Sequence, residues 1–236
     1  MEDFIKIVLS RPSHPANIGA AARAIKVMGF KKLVLVKPKI FPHPEANVLA
    51  SGASDILNSA LIFDELSSAV CEETLVYGLT ARSRHFPLPV LTPREAANEI
   101  VLNPQKTALV FGSENGGLLN KEIDICHKIV TIQTGDIYSS LNLAHAVSIC
   151  LHELRVILAT NPKINKLGNP QGQPISEIIK LVDHLLEVME EIDFLKNRKL
   201  KYTRTRLLNL FKRSIREASE IKMLRGFLTA VQKRNL

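Results

Sequence analysis

The chain has 236 residues, 31 Lys and Arg against 23 Asp and Glu for a formal net charge of +8, and 46% apolar residues, a globular composition that excludes wholesale disorder. Its apolar runs, such as 33–36 and 108–111, fall far short of the roughly 20 residues that cross a bilayer, and the acidic start with Glu2 and Asp3 has the wrong charge for a secretory leader. Cys71, Cys126 and Cys150 fit neither zinc-ligand spacing nor a disulfide framework, so a cytoplasmic protein without metal is expected.

In chain order, the pattern predicts a strand over 5–9, a helix over 18–28, strands over 33–37 and 74–79, a helix over 93–102, strands over 107–112 and 128–132, and a helix over 141–158. The strands are nearly continuous apolar runs, as in parallel strands buried on both faces. The helix at 93 has its own start signal: Thr92 to cap, Pro93 in the first turn and Glu95 to complete a capping box. The alternation describes an α/β domain over 1–158 with a mostly parallel sheet, whose ligands belong at the carboxyl ends of the strands. Residues 159–174 hold three Pro, two Gly and three Asn and read as a linker. Beyond it, apolar residues at helical spacing over 175–197, 205–218 and 220–232 predict a small helical C-terminal extension over 175–236. That extension is too small for a large core of its own, so it is expected to pack on the first domain or on a partner chain.

Charge is unevenly placed. Residues 1–195 carry 18 Lys and Arg against 21 acids, a net of −3; residues 196–236 carry 13 against 2, a net of +11. A basic excess confined to the last 41 residues is the footprint of a polyanion binder, set against a solvated helix face or a membrane-surface patch. No Trp and only three Tyr leave little for base stacking.

Four segments place small or polar residues just past predicted strands. Asn17-Ile18-Gly19-Ala20-Ala21-Ala22-Arg23 permits close backbone approach and offers a guanidinium, or else is a small-residue helix face with Arg23 at the surface. Gly78-Leu79-Thr80-Ala81-Arg82-Ser83-Arg84 adds positive charge, or else is a surface loop. Gly112-Ser113-Glu114-Asn115-Gly116-Gly117 is neither a Walker loop nor a GxGxxG fingerprint, yet its backbone suits a nucleoside-like cofactor; the alternative is a turn with a solvated Glu114. Ser139-Ser140-Leu141-Asn142-Leu143 can cap the helix that follows. No G-x-S-x-G elbow accompanies these serines, which rules against a serine hydrolase. His145 and His152 read as ordinary helix histidines. Convergence of the four loops on one sheet edge favours a cofactor site more than any one of them does.

Taken in order, Asn17-x-Gly19-x-x-x-Arg23, Phe111-Gly112-x-Glu114-x-x-Gly117-Leu118 and Ser139-Ser140-Leu141-Asn142-Leu143-Ala144 resemble the three motifs of the SPOUT RNA methyltransferases. The segment 79–84 and the basic tail narrow the resemblance to the TrmJ group, tRNA ribose 2′-O-methyltransferases acting on cytidine or uridine at nucleotide 32 of the anticodon loop. The resemblance implies a SPOUT-type α/β knot, a trefoil-knotted and mostly parallel sheet. It also implies S-adenosylmethionine (S-adenosyl-L-methionine) as cofactor, tRNA as partner, and a homodimer with the active site at its interface. Cofactor-binding positions would be Leu79, Thr80, Ala81, Gly112, Glu114, Gly117, Ile132, Ser139, Ser140 and Leu141. Arg23, Ser140 and Asn142 would be catalytic, and Asn17, Arg23, Arg82 and Arg84 would hold substrate, with Arg23 serving the cofactor of the partner protomer. Glu114 would order its loop or meet the methionine end of the cofactor. Two positions depart from the family: Ser113 stands where many relatives carry Arg, and Gln133-Thr134 follows Ile132 where many carry Pro. Other readings are methylation of ribosomal RNA or of the wobble nucleotide, and a non-catalytic RNA-binding module.

Overall fold

The computed structural model describes residues 2–81, 88–135, 140–161, 172–195 and 200–235. The chain opens with β1 (Ile5–Ser10), α1 (Pro15–Val27), β2 (Lys32–Val36), α2 (Pro44–Ala50), α3 (Ser54–Asn58), β3 (Leu61–Phe63) and α4 (Leu66–Ala69). There follow β4 (Leu75–Leu79), β5 (Val90–Leu91), α5 (Pro93–Leu102), β6 (Thr107–Phe111), α6 (Asn120–Ile125), β7 (Lys128–Val130) and α7 (Leu143–Thr160). Among the described residues three further helices follow: α8 (Ile175–Glu191), α9 (Leu200–Ser214) and α10 (Ala218–Asn235). The strands form one seven-stranded sheet in the order β3-β2-β1-β6-β4-β7-β5, parallel at every pairing.

The period of two along each strand sorts its side chains between two layers. Ile5, Ile7 and Leu9 of β1, Tyr77 and Leu79 of β4, and Leu109 and Phe111 of β6 face the layer built by α1, α5 and α7. Val8, Val76, Ala108, Val110 and Ile129 face the other way, where they meet Ile175, Ile178, Val182 and Leu186 of α8 and Leu208 of α9. The C-terminal helices therefore roof the second face of the sheet, and each fully buried Ile, Val or Leu there contributes about 1.5–3 kcal/mol. A smaller core of Leu181, Val188, Ile215, Ile221 and Leu228 ties α8, α9 and α10 together.

Several elements depart from the sequence expectation. Helix α1 begins at Pro15 rather than at 18, because Pro15 occupies its first turn; Asn17 and Arg23 therefore both stand on the helix. Strand β7 ends at Val130, so Ile132 lies in the segment beyond it. Strands β3 and β5 span three and two residues, too short for a periodic signal, and Leu61 and Ile62 of β3 are 58% and 52% exposed at the sheet edge. The capping box at the start of α5 forms, with Thr92 and Glu95 bonding reciprocally. Gly19 does make a close backbone approach, but to α2: a Cβ there would strike the backbone of Ala46. Helix α7 is long and apolar enough by composition to cross a membrane, yet Val147, Cys150, Leu151 and Leu154 pack in the core between sheet, α1 and α5.

Candidate active site

A cavity of about 600 Å³ opens at the carboxyl ends of β4, β6 and β7, beside the first turn of α7. Parallel strands deliver their C-terminal loops to one edge, and the crevice between those loops is where open α/β sheets bind ligands. Leu79, Thr80, Ala81, Gly112, Glu114, Gly117, Ile132, Ser140 and Leu141, all expected from sequence, line it. Phe111, Val130, Leu143 and Thr134 also line it and were not expected. Ser139, Arg82 and Arg84 lie outside the described residues. Asn17, Asn142 and Arg23 do not line the cavity.

The wall formed by 112–117 is a tight turn. The Gly117 amide donates to the Ser113 carbonyl at 2.8 Å, and Gly117 has φ +61°, which glycine adopts without strain. Gly112 is pressed against the far end of the turn, where a Cβ would strike Gly117 and Leu118 backbone atoms. The two glycines thus bring backbone, rather than side chains, to the cavity wall.

Glu114 anchors this turn to the start of α1. Its carboxylate accepts from the Ser13 amide (2.9 Å) and hydroxyl (2.8 Å), the His14 amide (3.3 Å) and Asn17 Nδ2 (2.8 Å). Partial burial pushes its proton affinity up, but the bonds from Asn17 and Ser13 outweigh that and hold the carboxyl below its usual range. Asn17 Oδ1 in turn accepts from Asn142 Nδ2 at 2.9 Å. Asn142 Oδ1 caps α7 by accepting the Ala144 amide at 2.8 Å. Glu114, Asn17 and Asn142 form one relay joining the turn, α1 and α7. The Glu114 oxygens are thereby committed to ordering the loop.

A second anchor lies beneath the turn and was missed from sequence. Arg11 Nη2 donates to the Gly117 carbonyl at 2.8 Å and pairs with Glu122 at 3.0 Å. Glu122 also accepts from the Ser10 hydroxyl and from the Leu119 amide at 2.6 Å, and its side chain is 5% exposed. One signal was available: Glu122 sits three positions after Leu119, the spacing at which an acid reaches back to an open helix N-terminus.

Arg23 is exposed on α1 and makes no hydrogen bond or ion pair among the described residues, so its guanidinium is free to meet an external anion. No cluster of three His, Cys, Asp or Glu able to hold a metal occurs among the described residues.

Residues 5–152 match the model of the SpoU rRNA methylase family. The chain belongs to that family. Within it the TrmJ group is indicated over the remaining length, since residues 176–236 match the C-terminal domain of the tRNA methyltransferase TrmJ. The tRNA (cytidine/uridine/adenosine-2′-O-)-methyltransferase TrmJ of Pseudomonas aeruginosa is 40% identical, over 99% of this chain and 95% of that protein. The tRNA (cytidine/uridine-2′-O-)-methyltransferase TrmJ of Pectobacterium atrosepticum is 39% identical, over 99% and 98%. In three dimensions the chain is similar to TrmJ from Z. mobilis, with TM-score 0.85, 30% identity, and 96% and 98% of the two chains covered. A more distant likeness, of fold alone, is to the SpoU methyltransferase AviRb of Streptomyces viridochromogenes in complex with AdoMet, with TM-score 0.55, 22% identity, and 68% and 62% covered.

Proposed function

We propose that the chain transfers a methyl group from S-adenosylmethionine to the ribose 2′-oxygen of cytidine or uridine at nucleotide 32 of the tRNA anticodon loop, in the cytoplasm. The observation that carries this reading is the loop-built cavity at the ends of β4, β6 and β7, in a chain that matches tRNA 2′-O-methyltransferases along 99% of its length.

The residues present fit the cofactor. A cavity of about 600 Å³ has the volume for a nucleoside-sized ligand. Leu79, Phe111, Val130 and Ile132 offer an apolar slot for a flat purine. The backbone of 112–117, which no Cβ at Gly112 crowds, offers polar groups to the ribose. When bound, S-adenosylmethionine supplies an electrophilic methyl on a sulfonium, which reacts in line with an oxygen nucleophile. The protein's task is to hold the two reactants in line and to assist loss of a proton from a weakly acidic hydroxyl.

Each residue then has a role its chemistry permits. The Glu114–Asn17–Asn142 relay fixes the cofactor turn relative to α7. Ser140, on the cavity wall, orients the 2′-hydroxyl. Arg23 offers a guanidinium, which carries five donors and no acceptor. It therefore grips the adjacent phosphate and stabilises the developing alkoxide, rather than acting as a base. Arg23 does not line its own chain's cavity, which supports a role at the cavity of the partner in a homodimer. Arg82 and Arg84 add substrate contacts, and the knot implied by the family resemblance brings the cofactor loops together.

Mixing two inactive variants tests both the chemistry and the dimer. Arg23→Ala is expected to bind cofactor and fail at methyl transfer; a Gly112 variant that cannot bind cofactor still offers Arg23. After random subunit exchange, half of the dimers are mixed and each holds one complete site, so about a quarter of wild-type transfer of labelled methyl to tRNA returns. Absence of recovery despite demonstrated exchange contradicts the shared site; Arg23→Ala with near-normal turnover contradicts the role of Arg23.

A further inference from the structure

A second cavity, about 900 Å³, lies at the opposite edge of the sheet, where Leu75 begins β4 and Lys128 begins β7. The four residue steps of β4 from Leu75 to Leu79 separate it from the first cavity by about 13 Å. Its outer wall is α9, which contributes Asn209, Lys212 and Arg213, and the turn after it, which contributes Arg216, and its floor is polar, with Asn103 and Gln105. It belongs neither to the family's motif loops nor to any role assigned above.

Its charges do not cancel. Lys128 is neutralised by Glu99 at 2.5 and 2.6 Å. Lys212 is 7% exposed, and its ammonium donates to the Asp124 carbonyl (2.8 Å) and the Cys126 carbonyl (2.5 Å), with no carboxylate among those partners. Arg213 uses only Nε, on the Asn209 carbonyl at 3.0 Å. The Arg216 side chain makes no hydrogen bond or ion pair among the described residues. Glu217, the remaining acid on the lining, accepts from Ser219. On the lining, three cations thus face one carboxylate besides the Lys128–Glu99 pair, with Asp124 near Lys212 and Glu220 near Arg216 outside it, across a cavity large enough for a nucleotide. Burial above all pushes the proton affinity of His127 down to about 3, and Lys212, Lys128 and Arg216 add to it. Its Nδ1 accepts the Val76 amide at 3.1 Å, so the neutral ring carries its proton on Nε2 and is another donor. A site of donors and positive potential suits an anion with several acceptor oxygens.

We propose that this cavity is a phosphate cradle for the RNA substrate, in which the Arg213 and Arg216 guanidinium groups clasp a backbone phosphate of the tRNA and buried Lys212 supplies the positive field beneath it. The proposal rests on the tRNA-methyltransferase reading and sharpens it. The basic tail is more than a diffuse cationic surface, because two of its arginines join residues of the sheet to form one defined subsite. A guanidinium fork matches phosphate oxygens in pairs. A phosphate held here sets the position of the RNA relative to the cofactor cavity at the other end of the same strand.

The test compares two double variants of the full chain, each removing two exposed cations: Arg213→Ala with Arg216→Ala, and Lys222→Ala with Arg225→Ala on α10, outside the cavity. Binding of tRNA is measured by fluorescence anisotropy across a salt series, with cofactor affinity and melting temperature as checks on folding. The cradle pair is expected to weaken tRNA binding about tenfold or more and to reduce the slope of log K against log salt by about 1–2, while the α10 pair changes affinity less than about threefold. Equal losses from both pairs mean a diffuse cationic tail and overturn the cradle. Cradle variants that bind like wild type also overturn it, and leave the methyltransferase reading intact. A wild-type chain that binds no tRNA overturns both.

Discussion

Replacing Gly112 by Ala probes the cofactor wall at its tightest point. The added Cβ would fall on the Gly117 carbonyl carbon and the Leu118 nitrogen, and within 2.7 Å of Gly117 Cα. These are backbone atoms and cannot rotate aside. The far side of the turn is pinned, since Arg11 holds the Gly117 carbonyl and the Ser113 carbonyl holds the Gly117 amide. The displacement therefore falls on the cavity wall. Overpacking of this kind costs about 1–3 kcal/mol. Charged wholly to binding, that weakens cofactor affinity about 5- to 150-fold. Any part falling on the fold lowers the melting temperature by about 2–4 °C per kcal/mol in a chain of this size. Gly116→Ala is the control, because its Cβ would meet only Ser113 Oγ, at 3.4 Å, and affinity should stay within about twofold of wild type. Titration calorimetry with S-adenosylmethionine reads both variants. Wild-type affinity and melting in Gly112→Ala, or equal losses in the two variants, would refute the reasoning.

Two further perturbations test the supports around the sites. Glu122→Gln leaves Arg11 without its carboxylate. Breaking a buried pair from one side costs about 3–5 kcal/mol, and Arg11 is 27% exposed, so about half of that, or a fall of about 3–10 °C in melting temperature, is expected by calorimetric scanning; an unchanged melt contradicts the anchor. His127 has a folded-state value of about 3 against 6.5 for the free ring. Between those values the unfolded chain binds more protons, so His127 costs nothing above pH 6.5 and removes stability as pH falls below it. His127→Asn keeps an acceptor for the Val76 amide without the titration, so its urea midpoint should fall less than that of wild type between about pH 7 and 5. Parallel declines would show that His127 is not the group responsible.

Legibility in the sequence follows from how local each feature is. Strands β1, β2, β4 and β6 could be read because helices cover both of their faces, leaving nearly unbroken apolar runs. Strands β3 and β5 could not, because they are short and lie at the two edges of the sheet, without the longer apolar run that showed β7. The stripe of Ile178, Val182 and Leu186 announced an amphipathic helix, but periodicity says that a face exists and not what it covers; the structure lays it on the sheet. At the site, a glycine-bearing turn after a buried strand was visible at Gly112 and Gly117. Its supports were not, since Glu114 bonds Asn17 across 97 positions and Arg11 bonds Glu122 across 111, and no spacing rule links residues so far apart. Likewise the charge count located the basic excess in the tail, while the joining of Arg213 and Arg216 to Lys128 required the fold.

The measurement that bears most directly on the account is a nucleoside map of tRNA after incubation with the protein and isotopically labelled S-adenosylmethionine. Nuclease digestion and mass spectrometry are expected to find one labelled methyl on the ribose of the cytidine or uridine at nucleotide 32. Label on a base, label only at the wobble nucleotide, or no label from folded, cofactor-binding protein would contradict it.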